Sequence, residues 1–325
     1  MRILVMGPMA YSWGGDGYGR VERLCGLLVG GLAEAGYELV VVCPVGSELV
    51  GGITRVESDV DVVYGELRAY ERVREVVSSL GIDFVLDLSH QHLLRVRDGW
   101  PGLSWIWHDP MVNVGVRWPR DGLMALSGWQ ARRFREVVGV DCGVLDIHMV
   151  GGGYRHEAVE GSGRWLWLGR LDRDKGVMEA VSVFEESGDR LDVVGPGMDI
   201  EVVRMMKMVE KETMGRIRWL GEVSEDEKLR YLKSALGLWY WPEFGEGVSE
   251  AHSMKTVEAV CCGLPVLMRN KEPYPEVFHG LVQYMDEPEV RVVERDRGWL
   301  SERALEEWSV KAVVRRIERE MGVAV

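Results

Sequence analysis

Short apolar runs alternate with helix-like segments along the whole chain, and this series occurs twice. The alternation is typical of parallel sheets covered by helices, because parallel strands need a crossover connection. In the first series the predicted strands are Arg2–Gly7, Leu39–Cys43, Asp83–Leu88, Leu103–Ile106, Leu123–Leu126 and Val144–Ile147. In the second they are Trp165–Leu168, Leu191–Val194, Ile217–Leu220, Leu236–Tyr240 and Pro265–Leu267. We therefore predict an α/β protein with two doubly wound, Rossmann-like domains.

The segments between these strands carry helix signals. Apolar side chains spaced three and four residues apart predict an amphipathic helix over residues 20–35, which ends at Gly36. Two further helices begin at capping patterns in which Ser is followed three residues later by Gln or Glu. These patterns are Ser127 with Gln130 and Ser224 with Glu227. The last segment, Glu302–Met321, is predicted to form one long helix.

The length of 325 residues exceeds that of one ordinary core, so more than one domain is expected. We place the N-terminal domain at residues 1–157 and the C-terminal domain at residues 158–300, followed by a terminal helix within 301–325. Ligands bind beyond the carboxyl ends of the strands in sheets of this kind. The two domains are therefore expected to face a central cleft.

Charge and composition exclude several classes of partner. The formal net charge is −13, whereas binding to a nucleic-acid backbone needs a basic surface, so nucleic acid is not an expected partner. No apolar run approaches the roughly 18 residues of a membrane span, and contact with a membrane would be peripheral at most. Five cysteines without metal-ligand spacing fit a reducing compartment, and we expect the protein in the cytoplasm. The sequence makes no prediction about oligomeric state.

Two cations follow the first strand of the second series. Gly169-Arg170 ends this strand and Lys175-Gly176 comes shortly after, so both side chains stand at the carboxyl edge of the predicted sheet. A guanidinium fork and a mobile ammonium suit the oxygens of a diphosphate. The alternative is a solvated turn in which the cations pair with Asp172 or Asp174.

Glu250 and Glu258 are separated by seven residues on a loop that leads into a helix. If that helix begins near Ser253, the first-turn amides of Met254 and Lys255 form an anion site. Glu258 then lies about one helical turn further along, where its carboxylate can accept hydrogen bonds from a vicinal diol of ribose or a hexose. The alternative is one helix-capping carboxylate and one exposed carboxylate.

The N-terminal half contributes a glycine loop after its first strand. Gly15, Gly17 and Gly19 allow the backbone to approach a ligand and leave helix amides available for phosphate or an acceptor. Such a loop also fits a dinucleotide-binding fold. However, the glycines do not form a tight G-x-G-x-x-G after the strand, and the second strand ends in Cys43-Pro44 without an acidic residue to bind a ribose.

The histidines divide into a functional candidate and a structural pair. His108 follows the strand Leu103–Ile106 at its carboxyl end, and we interpret it as functional. His90 and His92 form an H-x-H pattern that has no third ligand, and we interpret them as structural. A D-x-D element placed after a strand, as a metal site of this kind would need, is also missing. We therefore predict neither a metal nor another cofactor.

The ordered set of motifs resembles the retaining GT-B glycosyltransferases of family GT4, also called glycosyl transferases group 1. The resemblance extends over nearly the whole chain. It is carried by the glycine loop, the His-containing loop, the phosphate motif, the second glycine turn, the third-strand loop and the E-x7-E signature with its following Gly-Leu-Pro-Val. These segments are residues 14–23, 107–110, 165–176, 195–197, 219–224, 250–258 and 263–266.

The resemblance implies roles for individual residues. Arg170 and Lys175 would bind the donor diphosphate, and Glu258 would bind the nucleotide ribose. Glu250 would face the transferred sugar, and His108 would contact that sugar from the other domain. The remaining expected substrate contacts lie in the glycine loops, the base-facing loop and the helix start; they are Gly15, Gly17, Gly19, Gly169, Gly195, Val223, Ser253, Met254 and Lys255.

The resemblance also implies a reaction. A UDP-, GDP- or ADP-linked sugar would be transferred to a glycan, lipid or small-molecule acceptor with retention of configuration and without a metal, and the C-terminal helix would pack back on the N-terminal domain. The E-x7-E loop departs from the family, because His252-Ser253 stands where Phe-Gly is usual. Two alternatives are a sugar-nucleotide epimerase of GT-B fold and a non-catalytic protein that binds nucleotide sugars or glycans.

Overall fold

The computed structural model describes residues 1–14, 19–61, 64–107, 117–242, 252–291 and 294–323. The chain divides into two compact units. Unit 1 comprises Met1–Met149 and Val310–Val325, and unit 2 comprises Val150–Ser309.

Unit 1 is built on a parallel sheet of seven strands in the order β3-β2-β1-β4-β5-β6-β7. The strands are β1 (Arg2–Met6), β2 (Glu38–Pro44), β3 (Thr54–Ser58), β4 (Phe84–Asp87), β5 (Gly102–Trp105), β6 (Leu123–Ala125) and β7 (Gly143–Val144). The helices are α1 (Arg20–Glu34), α2 (Gly65–Leu80), α3 (Leu93–Asp98), α4 (Gly128–Val138) and, from the chain end, α11 (Val310–Glu320).

Unit 2 has a parallel sheet of six strands in the order β10-β9-β8-β11-β12-β13. The strands are β8 (Trp165–Leu168), β9 (Leu191–Val194), β10 (Ile217–Trp219), β11 (Leu238–Tyr240), β12 (Val266–Arg269) and β13 (Gln283–Met285). The helices are α5 (Val177–Ser187), α6 (Ile200–Glu212), α7 (Glu225–Ser234), α8 (Met254–Cys261), α9 (Tyr274–Phe278) and α10 (Arg297–Trp308). The strand order reverses between β8 and β11, and such a switch point is where doubly wound sheets bind ligands.

The core of unit 2 explains why its strands are apolar on both faces. In β8, Trp165 and Trp167 pack with α5 and α6, whereas Leu166 and Leu168 pack with α8 and α10 on the opposite face. Both faces of the sheet are therefore buried, as in most parallel sheets. Among the described residues, no helix is both long enough and apolar enough to cross a membrane.

The prediction of two doubly wound α/β sheets is confirmed. Strands β3 and β13, which are both outer strands of their sheets, were not predicted from the sequence. Strand β3 (Thr54–Ser58) is mostly exposed, and β13 (Gln283–Met285) is only three residues long, so neither forms a continuous apolar run.

Of two helix predictions, one needs correction and one is confirmed. The segment Glu302–Met321 does not form one helix, because Ser309 is extended (φ −69°, ψ 150°) and bridges to Val150 between α10 and α11. Ser127 caps α4 as predicted, since its hydroxyl accepts a hydrogen bond from Gln130 N at 3.2 Å. The Gln130 carboxamide oxygen accepts a further hydrogen bond from Leu126 N at 2.7 Å.

Helix α11 packs against α1 within unit 1. The contact is close because α1 has a glycine at the crossing: a Cβ built on Gly31 would overlap the side chains of Val310 and Val314. The hydroxyl of Tyr37 adds a hydrogen bond to Glu318 Oε1 at 3.0 Å.

Candidate functional site

The carboxyl edge of the unit 2 sheet is lined by glycine backbone. Gly169 follows β8 and its amide donates to Val194 O at 3.0 Å, while Gly195 follows β9 and its amide donates to Gly221 O at 2.8 Å. Gly195 has a φ of 141°, and a Cβ built there would overlap the carbonyl of Gly169. The strand ends therefore meet backbone to backbone, which leaves room for a ligand to approach the main chain.

The turn after β8 lies in close backbone contact with the end of β11. A 3₁₀ turn, Arg173–Lys175, ends at Gly176, whose φ is 73°. A Cβ at Gly176 would overlap the carbonyl oxygen of Trp241, which immediately follows β11. Only glycine fits both the left-handed conformation and this close approach. The contact holds Lys175 beside the switch point between β8 and β11.

The two arginines of this turn face different partners. Arg170 Nη2 lies 3.1 Å from Asp172 Oδ2, which is the ion pair considered as an alternative from the sequence. Arg173 instead pairs with Asp199, at 3.4 Å, and with Glu201 at the start of α6. The Arg170 side chain is 41% exposed, so this pair is open to solvent and contributes little to stability. Arg170 therefore stands at the sheet edge, and Arg173 is turned toward α6.

Helix α8 begins where the sequence predicted. Ser253 is its N-cap and Met254 its first residue, and the amides of Thr256 and Val257 both donate to Ser253 O, at 3.1 and 3.2 Å. The amides of Met254 and Lys255 thus belong to the first helical turn, whose N–H groups have no acceptor within the helix. The partial positive charge of this helix start favours an anion.

Lys255 brings a side-chain cation to the same edge. Its Nζ donates to Leu168 O at 2.9 Å, at the end of β8, and lies 4.0 Å from the ring centroid of Tyr240. A Cβ on Gly169 would be 3.3 Å from this ammonium. From the sequence, Lys255 was predicted to contribute only its backbone amide. A lysine in the first turn opposes the helix dipole, and this unfavourable placement is the sequence signal that could have indicated a role for its side chain.

Glu258 is buried in α8 and held by two donors. Its exposure is 4%, and its Oε1 accepts hydrogen bonds from Lys228 Nζ at 2.9 Å and from Tyr154 OH at 3.2 Å. Lys228 also pairs with Glu225 Oε2 at 2.9 Å, and the Tyr154 hydroxyl also donates to Glu225 Oε1. Sequence reasoning missed Lys228, Tyr154 and Glu225. We call these four residues the Glu258 network.

The loop before α7 is fixed by a complete capping box. Ser224 Oγ accepts from Glu227 N at 3.3 Å, and Glu227 Oε2 accepts from Ser224 N at 3.0 Å, as predicted. Val223 directly precedes the cap and is partly buried against the core. The backbone at Val223 is therefore held beside the Glu258 network, because Glu225 and Lys228 belong to the same helix.

Several residues assigned from the sequence lie outside the described part of the chain: Gly15, Gly17, His108 and Glu250. Gly19 is described, and its φ of 144° places it directly before α1. A Cβ built on Gly19 would overlap the carboxylate of Glu22. Gly19 therefore lets the chain enter α1 against a buried acidic side chain.

The carboxyl edge of the unit 1 sheet holds buried carboxylates. Glu66 of α2 accepts hydrogen bonds from the amides of His90 and Gln91, each at 2.9 Å, and so fixes the loop after β4. Burial raises the pKa of Glu66 to about 7 and that of Asp87 to about 6. His92 is 1% exposed, and burial lowers its pKa to about 3, so its ring is neutral.

Glu66→Gln is expected to gain stability relative to the wild type as the pH rises from roughly 5 to 8. The pKa of Glu66 is raised in the folded protein, so over this interval the native state holds a proton that the unfolded chain has released. The free energy of unfolding of the wild type therefore falls as the pH rises from the unfolded pKa toward the folded pKa of Glu66. It recovers as the pH falls again. Glutamine cannot ionise and escapes this loss.

Urea unfolding of both proteins across this pH range measures the difference. The control is Glu71→Gln, which changes an exposed carboxylate on the same helix and should keep a constant difference from the wild type. A difference between Glu66→Gln and the wild type that does not change with pH would refute the account of Glu66.

The chain was compared with known protein families, curated protein sequences and solved structures. No protein-family profile and no curated protein sequence matches the chain. Solved structures match it over almost its full length. The crystal structure of AviGT4, a glycosyltransferase involved in avilamycin A biosynthesis, superposes with a TM-score of 0.67 at 19% identity, over 99% of this chain and 98% of that one.

Two further structures give the same result. Anabaena HepE, in complex with UDP and glucose, superposes with a TM-score of 0.67 at 13% identity, over 99% of each chain. WaaG, a glycosyltransferase involved in lipopolysaccharide biosynthesis, gives 0.59 at 14% identity, over 100% of this chain and 96% of that one. The two parallel sheets and their helices thus match glycosyltransferase structures from end to end, and the chain has the GT-B fold.

Proposed function

We propose that this protein is a retaining glycosyltransferase of the GT4 type, which transfers a sugar from a nucleotide-diphosphate sugar to an acceptor hydroxyl. One observation carries the proposal: Arg170, Lys175, Lys255 and the start of α8 gather at the switch point of the unit 2 sheet, with buried Glu258 on the same helix. Cations and helix amides suit a diphosphate, and a carboxylate suits a ribose diol.

The structural neighbours support a nucleotide-sugar donor. HepE binds UDP with glucose, and it also binds UDP-glucose. In this chain, the donor diphosphate would lie against Arg170, Lys175 and Lys255. The ribose would lie at Glu258, and the base would meet the backbone at Val223. Gly169 and Gly195 would allow the diphosphate to approach the sheet edge, and Ser253 and Met254 would present helix amides to it.

The proposed chemistry depends on stabilising the leaving group. The bond between the anomeric carbon and the diphosphate oxygen breaks as the carbon gains oxocarbenium character. The acceptor hydroxyl attacks from the face that the diphosphate leaves, and its proton passes to a phosphate oxygen. Preorganised cations and amides stabilise the negative charge that develops on the departing diphosphate as this bond breaks. These groups would do so without a divalent metal.

The remaining roles rest on the resemblance to the family. Glu250 would face the transferred sugar, and His108 would contact the sugar from the other domain. Gly15, Gly17 and Gly19 would line the acceptor side. The acceptor itself would be a glycan, a lipid or a small molecule that carries a hydroxyl group.

A thermal-stability screen tests the donor site. UDP-, GDP-, ADP- and dTDP-sugars are added to the wild type, to Glu258→Gln and to Arg170→Ala, each with and without EDTA. A ligand at about 100 times its Kd adds roughly 2.7 kcal/mol of stability, which corresponds to a rise of several degrees in Tm. We expect such a rise for the wild type, unchanged by EDTA, and a smaller rise for both variants. The site assignment fails when no donor stabilises the wild type, or when both variants respond as the wild type does.

A further inference from the structure

Helices α5 and α6 of unit 2 leave a groove between their N-terminal halves, on the sheet face that carries Trp165 and Trp167. The groove has a volume of about 600 Å³, which is within the range of small-molecule sites. It is lined by one residue of the 3₁₀ turn, two of α5 and three of α6: Arg173, Met178, Glu179, Glu201, Arg204 and Met205. None of these residues belongs to the proposed donor site.

Two methionines supply the apolar surface of the groove. Met178 of α5 and Met205 of α6 are partly buried, and both pack against the core beneath the two helices. Both also line the groove, so each helix contributes one thioether to it. Methionine is unbranched and polarizable, and its side chain adapts to apolar groups of different shape. The groove therefore offers an apolar surface that is anchored from below.

The charged residues of the groove comprise one ion pair and two further groups. Glu201 pairs with Arg173, which also lies 3.4 Å from Asp199. Arg204 is exposed and forms no ion pair with any residue that the structure describes. Glu179 Oε2 is buried and accepts no hydrogen bond within the described part of the chain. A ligand that brings an acid to Arg204 and an N–H donor to Glu179 would satisfy both groups.

The placement of these groups specifies the chemistry of the ligand. Glu179 and Arg204 stand on different helices, and each follows or precedes one of the two methionines in the sequence. The planar guanidinium of Arg204 fits a carboxylate through two parallel hydrogen bonds. An ammonium group supplies N–H donors to the carboxyl oxygens of Glu179. An apolar side chain would lie between Met178 and Met205, and an α-amino acid carries all three groups on one carbon atom.

We propose that the groove between α5 and α6 is a binding site for an α-amino acid with an apolar side chain. Arg204 binds the carboxylate of the ligand, Glu179 accepts from its amino group, and Met178 and Met205 contact its side chain. The site is separate from the proposed donor site. Its test therefore needs neither a nucleotide sugar nor an acceptor.

The first test uses NMR of the full chain labelled with ¹³C at the methionine methyl groups. L-Leucine, L-methionine and L-phenylalanine are added in turn, and Met178→Leu and Met205→Leu assign the two signals of the groove. We expect both signals to shift in a saturable manner with at least one amino acid. The signal of Met208, which is 60% exposed on α6 and does not line the groove, should stay unchanged.

Three analogues of the best ligand test its three groups separately. One lacks the amino group, one lacks the carboxylate, and glycine lacks the apolar side chain. Each should bind at least about 10-fold more weakly than the amino acid, because each loses a charge-assisted hydrogen bond or the burial of an apolar side chain.

Two variants test the assignment of the polar groups. Arg204→Gln and Glu179→Gln should each weaken binding of the best ligand by about 10- to 100-fold, as expected for a lost hydrogen bond between charged groups. Arg204 is exposed, so its substitution should leave the fold intact. Lys207→Gln is the matched control, because Lys207 is an exposed cation of α6 outside the groove. It should keep the affinity within about 2-fold.

Each result bears on the groove alone and leaves the donor site to its own test. If no amino acid shifts the Met178 and Met205 signals, the groove is not an amino-acid site. If the analogue without the amino group or without the carboxylate binds as tightly as the amino acid, the assigned ligand class is wrong. Wild-type affinity in both Arg204→Gln and Glu179→Gln would show that the amino acid binds elsewhere, and would overturn the proposal.

Discussion

Gly176→Ala should destabilise the protein by roughly 3 kcal/mol, because the new methyl group adds two costs. The left-handed conformation at φ 73° costs an alanine about 1–2 kcal/mol, and the overlap with the carbonyl of Trp241 adds an overpacking cost of about 1–3 kcal/mol. For a unit of this size, Tm should fall by about 10 °C, measured by differential scanning calorimetry. The displaced turn should also weaken nucleotide binding, since it carries Lys175.

Gly188→Ala provides the matched control. Gly188 follows the other end of α5 with a φ of 78°, and a Cβ built there meets no atom within 4 Å. It should lose only the conformational cost, about 1–2 kcal/mol. Equal losses for the two variants would mean that the turn is not pressed onto Trp241, and would contradict the described geometry.

A double variant, Arg170→Ala with Lys175→Ala, should lower kcat/KM by about 1,000-fold. In the proposed mechanism, each removed cation would take away a charge-assisted contact of about 1.5–3 kcal/mol to the leaving diphosphate. Because the charge on that group grows as the glycosidic bond breaks, kcat should fall as well as affinity. Steady-state kinetics with the donor that binds best measures both parameters.

Arg173→Ala separates this role from a general loss of positive charge. Arg173 lies in the same turn but pairs with Asp199 and Glu201. Its loss should leave kcat within about 2-fold of the wild type, because surface ion pairs contribute little. If Arg173→Ala reduces kcat as strongly as the double variant, the assignment of Arg170 and Lys175 is wrong.

The interior of the fold was predictable from the sequence because buried parallel strands are apolar on both faces. Trp165–Leu168 and Leu191–Val194 were predicted with the observed bounds for this reason. The outer strand Thr54–Ser58 exposes most of its side chains, so periodicity gave no signal. The break at Ser309 was missed because it depends on pairing with Val150, which is distant in the sequence.

The residues of the candidate site also differ in whether a local sequence pattern indicates them. Arg170, Lys175 and Glu258 were predicted as site residues because each belongs to a local motif beside a strand end or a helix start. Tyr154 and Lys228 were not, because they reach Glu258 across 104 and 30 residues of sequence. The side chain of Lys255 likewise meets Leu168 across 87 residues. A single sequence shows which residues are near in the chain, and these contacts arise only in the folded protein.

The proposed reaction is the transfer of a sugar from a nucleotide-sugar donor with retention of configuration. The most direct measurement incubates the wild type with its best-bound nucleotide sugar and a panel of glycan, lipid and small-molecule acceptors, while NMR follows nucleoside diphosphate release and the anomeric proton of the product. We expect release that depends on an acceptor, together with a product of the donor's anomeric configuration. Donor binding without release, an epimerised nucleotide sugar, or an inverted product would contradict it.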